Sequence, residues 1–378
     1  MKIKNNLRKK LLFLVNVDWF FLSHRLPIAI SAIEDGYDVF LLTKNTGKKE
    51  EISSFGIKFI DIPFERSGVN IFSEIKIISY IFYYYFKIKP NIVHHITLKP
   101  IIYGSIASKV LQIDLVVNAF SGLGYFFTNN RKSLLKSFFS NFLKFLNNRE
   151  NTTHIFQNKD DLNELRKLGI INNKNKIFII KGSGIDLNIY RESTIPLGDK
   201  LVIFFSSRML WDKGVRELYE ATQMLKKSYN HKISFLLAGM LDNNNKSGIP
   251  LDFLSNWHDG NYVNWIGYKD NILEFYNNSD IVVLPSYREG LPKSLIEASA
   301  VGRPIITTNA VGCKDCVIDG YNGFLISTHS SAELADALIK LIENRDLILL
   351  MGSNSRKIAE NDYDINKVIS KHLEIYKN

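Results

Sequence analysis

The chain has 378 residues, 46% of them apolar and 23% charged, with two cysteines. This length exceeds the roughly 250–300 residues at which one hydrophobic core stops growing, so two domains are expected, and the composition excludes disordered, fibrous and disulfide-framed classes. Residues 1–195 hold 28 Lys and Arg against 16 Asp and Glu, a net of +12, which leaves −2 for the rest of a chain whose total is +10; a basic first half implies an anionic partner.

The first ten residues are basic and residues 11–17 are apolar, but Asp18 interrupts the run and no small-residue cleavage site follows, so a buried first strand is expected there rather than a leader. Further strands are expected at 37–43, 56–62, 92–95, 115–118, 154–156 and 176–180, with helices at 27–34, 71–87 and 101–111 between them. The apolar run near residues 77–86 is about half the roughly 20 residues that a membrane-spanning helix needs. A polar stretch at 186–200, with Pro196 and Gly198, reads as a linker. The alternation then restarts, with strands at 201–205, 233–238, 262–265, 281–284 and 304–307 and helices at 332–342 and 365–376. Short apolar runs alternating with helices indicate two parallel, doubly wound α/β domains. The expected division is 1–190 and 191–378, with the C-terminal helices free to pack back on the first domain.

Two such domains face each other across a cleft, and ligands of this architecture bind at the carboxyl ends of the strands. No GxGxxG follows the first strand and no GxxxxGK[ST] occurs, which argues against a nicotinamide dinucleotide or P-loop site. Cys313 and Cys316 have C-x-x-C spacing, but there is no second ligand pair for zinc and no thioredoxin-like context. A reduced loop pair is expected.

The most informative segment is Pro285-Ser286-Tyr287-Arg288-Glu289-Gly290-Leu291-Pro292-Lys293-Ser294-Leu295-Ile296-Glu297-Ala298. It follows a buried strand, and Pro292 is placed to start a helix. The amides of Gly290, Leu291, Lys293 and Ser294 would then offer an anion site suited to a diphosphate. Glu289 precedes the helix, and Glu297 lies about 1.5 turns into it, where a carboxylate can accept two sugar hydroxyls.

This segment resembles the E-x7-E motif of glycosyltransferase family 4, whose members have the GT-B fold. Ser207 through Gly214, Leu237-Ala238-Gly239, Asn264 through Tyr268, Ala298 through Pro304, Thr307 through Cys313 and Asp319 through Phe324 match in order along the second half. The first half is similar, through Asn16 to Pro27 and His94 to Gly104, to the branch that acts on polyprenyl-diphosphate-linked sugars. The resemblance implies that Arg208 and Lys213 grip the donor diphosphate and take the place of a metal. It implies that Glu297 holds the nucleotide ribose and Glu289 the donor sugar. Gly239 would line the donor site, and Tyr268 would frame the base. No metal and no cofactor beyond the nucleotide-sugar donor are expected.

Two departures from the family pattern stand in the first half. A Gly-Gly loop after the first strand is replaced by Trp19, Phe20 and Phe21, then Ser23-His24-Arg25, with Ser23 placed to cap a helix and His24 and Arg25 near an acceptor diphosphate. A His-x-His pattern is replaced by His94-His95; adjacent strand residues face opposite ways, and His95 is favoured as the one reaching the cleft. Lys99 follows on the same loop for a phosphate, and Gly122 belongs to a flexible cleft loop.

The function this implies is a retaining, metal-independent transfer from a UDP-sugar, an N-acetylhexosamine or hexose, to an undecaprenyl-diphosphate-linked sugar in bacterial surface polysaccharide assembly. A GDP- or dTDP-sugar donor, or a UDP-sugar 2-epimerase of the same fold, is the alternative. Nucleic acid is not an expected partner, because aromatic residues are not interleaved with Lys and Arg. An anionic membrane surface is. Residues 131–147 place apolar side chains over an arc of roughly 180°, with Lys136 and Lys144 opposite, which suggests docking on the inner face of the cell membrane.

Overall fold

The computed structural model describes residues 8–64, 71–123, 134–147, 149–242 and 245–377. They form two compact units, one running to Ser183 and resuming at Asn366, the other spanning Gly184–Ile365. The first unit runs β1 (Lys10–Val17), α1 (Asp18–His24), α2 (Leu26–Glu34), β2 (Asp38–Lys44), α3 (Lys49–Ser53), β3 (Lys58–Asp61), α4 (Ile71–Ile88) and β4 (Ile92–Ile96). It continues with α5 (Leu98–Val110), β5 (Leu115–Phe120), α6 (Leu134–Asn147), β6 (Thr152–Phe156), α7 (Lys159–Lys167) and β7 (Lys176–Ile179). The seven strands pair in parallel, in the order β3-β2-β1-β4-β5-β6-β7.

The second unit runs β8 (Leu201–Ser206), a 3-10 turn at Trp211–Lys213, α8 (Val215–Tyr229), β9 (Ile233–Ala238), α9 (Leu251–Trp257), β10 (Val263–Trp265) and α10 (Leu273–Asn277). Then come β11 (Ile281–Leu284), α11 (Lys293–Ala300), β12 (Ile305–Thr308), β13 (Gly323–Ile326), α12 (Ser331–Ile342) and α13 (Arg345–Ile358), and the final helix α14 (Ile365–Lys377) carries the chain into the first unit. Six parallel strands take the order β10-β9-β8-β11-β12-β13. In each sheet the chain first winds one way from a starting strand and then crosses to that strand's other side. The reversal falls between β1 and β4 in one unit and between β8 and β11 in the other.

Strand interiors are buried on both faces, as parallel sheets require. Leu12, Leu14 and Val93 pack against Ile77, Ile81 and Tyr85 of α4. On the opposite face, Phe13 lies against His94, and His94 Nδ1 is 2.7 Å from the Tyr376 hydroxyl of α14. Tyr37 donates to the Tyr376 carbonyl at 3.1 Å, and Lys377 pairs with Asp35 at 2.9 Å, so α14 is fastened to the first unit at several points. The polar stretch 186–200 is irregular and belongs to the second unit. The buried Arg303 holds it by donating to the Ser193 carbonyl at 2.8 Å and hydroxyl at 2.7 Å.

The expected interfacial helix is only partly an outer element. Arg131, Lys132 and the side chains of residues 134–139 lie outside the described residues. Within the remainder, Leu143 and Leu146 are buried in a cluster with Phe156, Leu162 and Leu165. Phe145 is exposed, with the Lys109 ammonium 3.3 Å from its ring centroid. The apolar arc at residues 140–147 is therefore largely used in closing the core.

Four histidines of the first unit, His94, His95, His154 and His372, are buried. Burial holds His94 well below its ordinary value, lowers His95 to about 4, and lowers His154 and His372 to about 3. Above the ordinary histidine value of about 6.5 both folded and unfolded chains leave these rings neutral. Below it the unfolded chain binds protons that the folded chain refuses, so each histidine removes up to about 1.4 kcal/mol of stability per pH unit as the pH falls towards 4. Hydrogen exchange at pH 7 and pH 5 is expected to show the first unit losing protection ahead of the second. A uniform loss across both units would contradict this account.

Candidate active site

The loops after β8 and β11 flank the winding reversal of the second sheet, where the ends of these two strands splay their connections to opposite sides and leave a crevice. The β8 loop supplies Arg208 and Lys213, and the β11 loop leads through Glu289 into α11. Lys213 and Glu289 meet. The Lys213 ammonium is ion-paired with the Glu289 carboxylate, and both side chains are mostly buried. Ser286 Oγ donates to the same carboxylate oxygen at 2.8 Å. Arg208 is paired with Asp242, from the loop after β9, at 2.7 Å. That contact uses one N–H of a guanidinium that carries five.

Glu289 is also fixed through its backbone. Its N–H donates to the Val311 carbonyl at 2.9 Å, and Gly312 packs directly on its carbonyl. Gly312 has φ +82°, and a Cβ there would lie 2.3 Å from the Glu289 oxygen, so only glycine fits. This explains why Val311-Gly312 follows β12.

α11 starts at Lys293, with Pro292 as the capping residue rather than the first helical one. Gly290 and Leu291 are buried and lead into the helix; Lys293 and Ser294 are half-buried first-turn residues whose position directs their N–H groups along the axis. Glu297 lies one turn on and is almost buried. Tyr190 donates to its Oε1 at 3.2 Å, and the Lys293 ammonium is 3.7 Å from the same oxygen. Burial, followed by the Glu297 charge, raises the Tyr190 hydroxyl well above its ordinary value, so it remains a donor at neutral pH. Gly239 donates to the Gly267 carbonyl at 2.8 Å and accepts from the Trp265 indole at 3.1 Å, while Tyr268 beyond it is exposed.

Sequence reasoning missed Asp242, Ser286 and Tyr190 as partners of Arg208, Glu289 and Glu297. Ser286 had a signal, because it lies in the same short loop as Glu289. The other two are brought in by tertiary folding from distant positions. Cys313 and Cys316 are free and buried, and burial pushes the Cys313 thiol up to about 12 and Cys316 well above the usual thiol range. Both are protonated at neutral pH, as expected of an inert reduced pair. Among the described residues, no group of three His, Cys, Asp or Glu side chains is placed to hold a metal ion.

In the first unit the reversal lies between β1 and β4, bridged by Asn16 donating to Thr97 Oγ1 at 2.9 Å. His95 does not reach a crevice there. It is fully buried, with Nδ1 2.8 Å from Asn118 Oδ1 and Nε2 3.0 Å from the Tyr85 hydroxyl. Gly104 presses on its ring so closely that a Cβ would lie 2.3 Å from Nε2. His95 is thus a core histidine with both nitrogens engaged, which corrects the catalytic expectation. His94, on the opposite face, is equally buried.

Ser23 does not cap a helix. It lies inside α1, and its hydroxyl contacts the Phe20 carbonyl and His24 Nδ1, whereas α2 begins after Arg25 without a side-chain cap. His24 is half-buried and stacked on Phe20 at 4.1 Å. Arg25 is buried, donates to the His24 carbonyl at 3.0 Å, and has its value lowered to about 10 by desolvation. Ser121, 3.5 Å from Arg25, precedes Gly122, which has φ +92°. Lys99 is paired with Glu74 at 2.7 Å. The turn after β1 is organised by Asp18. Its buried carboxylate accepts from the backbone of Trp19 at 2.7 Å, Thr46 at 2.6 Å and Lys48 at 3.1 Å, which ties the loop after β2 to the end of β1.

A family model described as "Glycosyl transferases group 1" matches residues 188–358, and one described as "Glycosyl transferase 4-like" matches residues 10–159. An N,N'-diacetylbacillosaminyl-diphospho-undecaprenol alpha-1,3-N-acetylgalactosaminyltransferase of Campylobacter jejuni is 31% identical, over 94% of this chain and 97% of its own. The chain belongs to the family 4-like glycosyltransferases. A UDP-Gal:alpha-D-GlcNAc-diphosphoundecaprenol alpha-1,3-galactosyltransferase of Escherichia coli is 23% identical, over 90% of this glycosyltransferase and 89% of its own chain. The crystal structure of Anabaena Alr3699/HepE in complex with UDP and glucose superposes with a TM-score of 0.76 at 18% identity, covering 98% of this chain and 100% of that one. The architecture is GT-B, with two Rossmann-like α/β domains. These relatives place the glycosyltransferase among transferases rather than with the epimerase alternative.

Gly312→Ala is expected to destabilise the second unit by about 2 kcal/mol, since it strains a positive φ and presses on Glu289. A thermal melt compared with that of Gly320→Ala, where no atom lies within 4 Å of the added Cβ, separates the two costs. Equal shifts for both variants would show that only φ matters.

Proposed function

We propose that this glycosyltransferase moves an N-acetylhexosamine or hexose from a UDP-sugar to an undecaprenyl-diphosphate-linked sugar, with retention, in bacterial surface polysaccharide or glycan assembly. The observation that carries the reading is the Lys213–Glu289 ion pair at the winding reversal, with Arg208 on the same loop as the lysine and Glu297 on the helix that follows the glutamate. The acceptors named for the Campylobacter and Escherichia relatives and the UDP named for the Escherichia and Anabaena proteins support the substrate classes.

In this reading Arg208 and Lys213 take the charge that develops on the departing diphosphate, aided by the first-turn amides of α11. Glu297, held by Tyr190 and Lys293, accepts from the ribose hydroxyls. Glu289 accepts from hydroxyls of the donor sugar and orients it. The acceptor hydroxyl attacks the anomeric carbon on the face from which UDP leaves. UDP departs with the bonding pair, and its phosphate oxygen takes the acceptor proton. His24, Arg25, Lys99 and Gly122 remain the proposed acceptor side, and Gly239 and Tyr268 line the nucleotide. The lipid-linked acceptor places the enzyme on an anionic membrane surface at the inner face of the cell membrane; among the described residues no helix is long and apolar enough to cross one.

Incubation of labelled UDP-sugars with polyprenyl-diphosphate-linked monosaccharides is expected to give an acceptor-dependent product. Product formed without acceptor would reject the reading. The reaction is expected to survive EDTA, because two side-chain cations do a metal's work; loss in EDTA with recovery in manganese would contradict this role. Glu289→Ala is expected to lower kcat by more than about tenfold, since its contact positions the reacting sugar. Tyr190→Phe is expected to raise the donor KM several-fold at nearly constant kcat, because ribose binding is shared by ground and transition states. A kinetically silent Glu289→Ala would remove Glu289 from the donor sugar.

A further inference from the structure

The helix α4 is apolar on more than its inner side. Ile77, Ile81, Tyr85 and Ile88 face the core. On the opposite side Ile75, Tyr83 and Phe86 are 56%, 55% and 67% exposed, and Tyr80 borders them. At 100° per residue the first three fall within an arc of roughly 80°. A helix that covers a sheet ordinarily turns charged residues outward, and a contiguous aromatic face on a water-facing surface marks an interaction site.

The charges on this helix are sorted as well. Lys76 and Lys87 lie on the exposed side, between Tyr83 and Tyr80 on the helical wheel, and the Lys87 ammonium is 5.7 Å from the Tyr83 ring centroid. The one carboxylate of the helix, Glu74, is turned inward, where it pairs with Lys99 at 2.7 Å and accepts from the Tyr103 hydroxyl. The outer side of α4 is thus aromatic, aliphatic and cationic around one small polar residue, Ser79, whose hydroxyl donates to the Ile75 carbonyl, and it has no anionic group of its own.

We infer that the outer face of α4 docks on an anionic lipid surface, with the helix lying along the interface. An 18-residue helix is about 27 Å long, and a lipid interface offers apolar depth and negative headgroups continuously over that length. Tyrosines and lysines bordering an apolar stripe are the side chains that settle at headgroup level. The inference rests on the lipid-linked acceptor proposed above, and the Glu74–Lys99 pair joins the docking helix to the first turn of α5, where Lys99 is proposed to meet the acceptor diphosphate. It moves the docking site from residues 131–147 to α4.

The test uses the full chain with vesicles of phosphatidylcholine alone and of phosphatidylcholine with phosphatidylglycerol. Wild type is expected to co-sediment with the anionic vesicles and to be released by salt. The triple variant Ile75→Ser, Tyr83→Ser, Phe86→Ser is expected to lose more than about tenfold in partitioning. Lys76→Ser and Lys87→Ser are expected to lose about fivefold each on anionic vesicles and little on neutral ones. Transfer to a short-chain, water-soluble acceptor analogue is expected to be unchanged in every variant, so failure of that assay in wild type sinks the acceptor reading without touching the vesicle result. Undiminished vesicle binding by the triple variant overturns the inference. So does wild type that ignores vesicles but self-associates through a contact the triple variant abolishes, which would make the face an interface between copies of this chain.

Discussion

Two parallel strands can be joined only by a crossover, and that constraint governs this molecule more than any single contact. It places every loop that follows a strand on one edge of its sheet. Where the winding reverses, the two loops on either side diverge instead of packing together. Both units use the reversal in the same way. Asn16 at the end of β1 donates to Thr97 just before α5, while Lys213 after β8 pairs with Glu289 after β11.

The candidate donor site inherits its coherence from this topology. Lys213 and Glu289 are far apart in sequence, and neither has its partner until β8 and β11 are paired. A cation in a partly dry crevice is expensive without an anion nearby, and here both Arg208 and Lys213 are matched to a carboxylate from a different loop. The acids therefore hold the cations in shape as well as neutralise them. Glu297 shows the same arrangement in reverse, a carboxylate kept in position by a tyrosine hydroxyl and a lysine.

Periodicity alone made most of the architecture legible, because apolar strands such as 11–17 and 281–284 are short runs bounded by polar residues or proline. β13 was not apparent, since Gly320-Tyr321-Asn322-Gly323 in front of it reads as a turn. In the second unit a candidate site is readable because Arg208, Lys213 and Glu289 lie in two loops and Glu289 and Glu297 carry a recognisable motif. In the first unit, His95 could not be assigned from strand alternation. Alternation tells that His94 and His95 face opposite ways, but both faces of a covered parallel sheet are interior. The aromatic face of α4 is not legible in sequence for a related reason: a largely apolar helix reads as a core helix whichever of its faces is buried.

The helix α14 gives the first unit a part that follows the whole second unit in sequence. Its Tyr376 hydroxyl meets His94, and its final turn reaches Tyr37 and Asp35. During synthesis the whole second unit leaves the ribosome before these residues do. The first unit is therefore completed after the second, and until then the sheet face around Phe13 and His94 lacks the helix that covers it. A chain stalled before α14 would carry a complete second unit and an exposed apolar surface on the first, a form readily distinguished by chaperones and proteases from the folded enzyme.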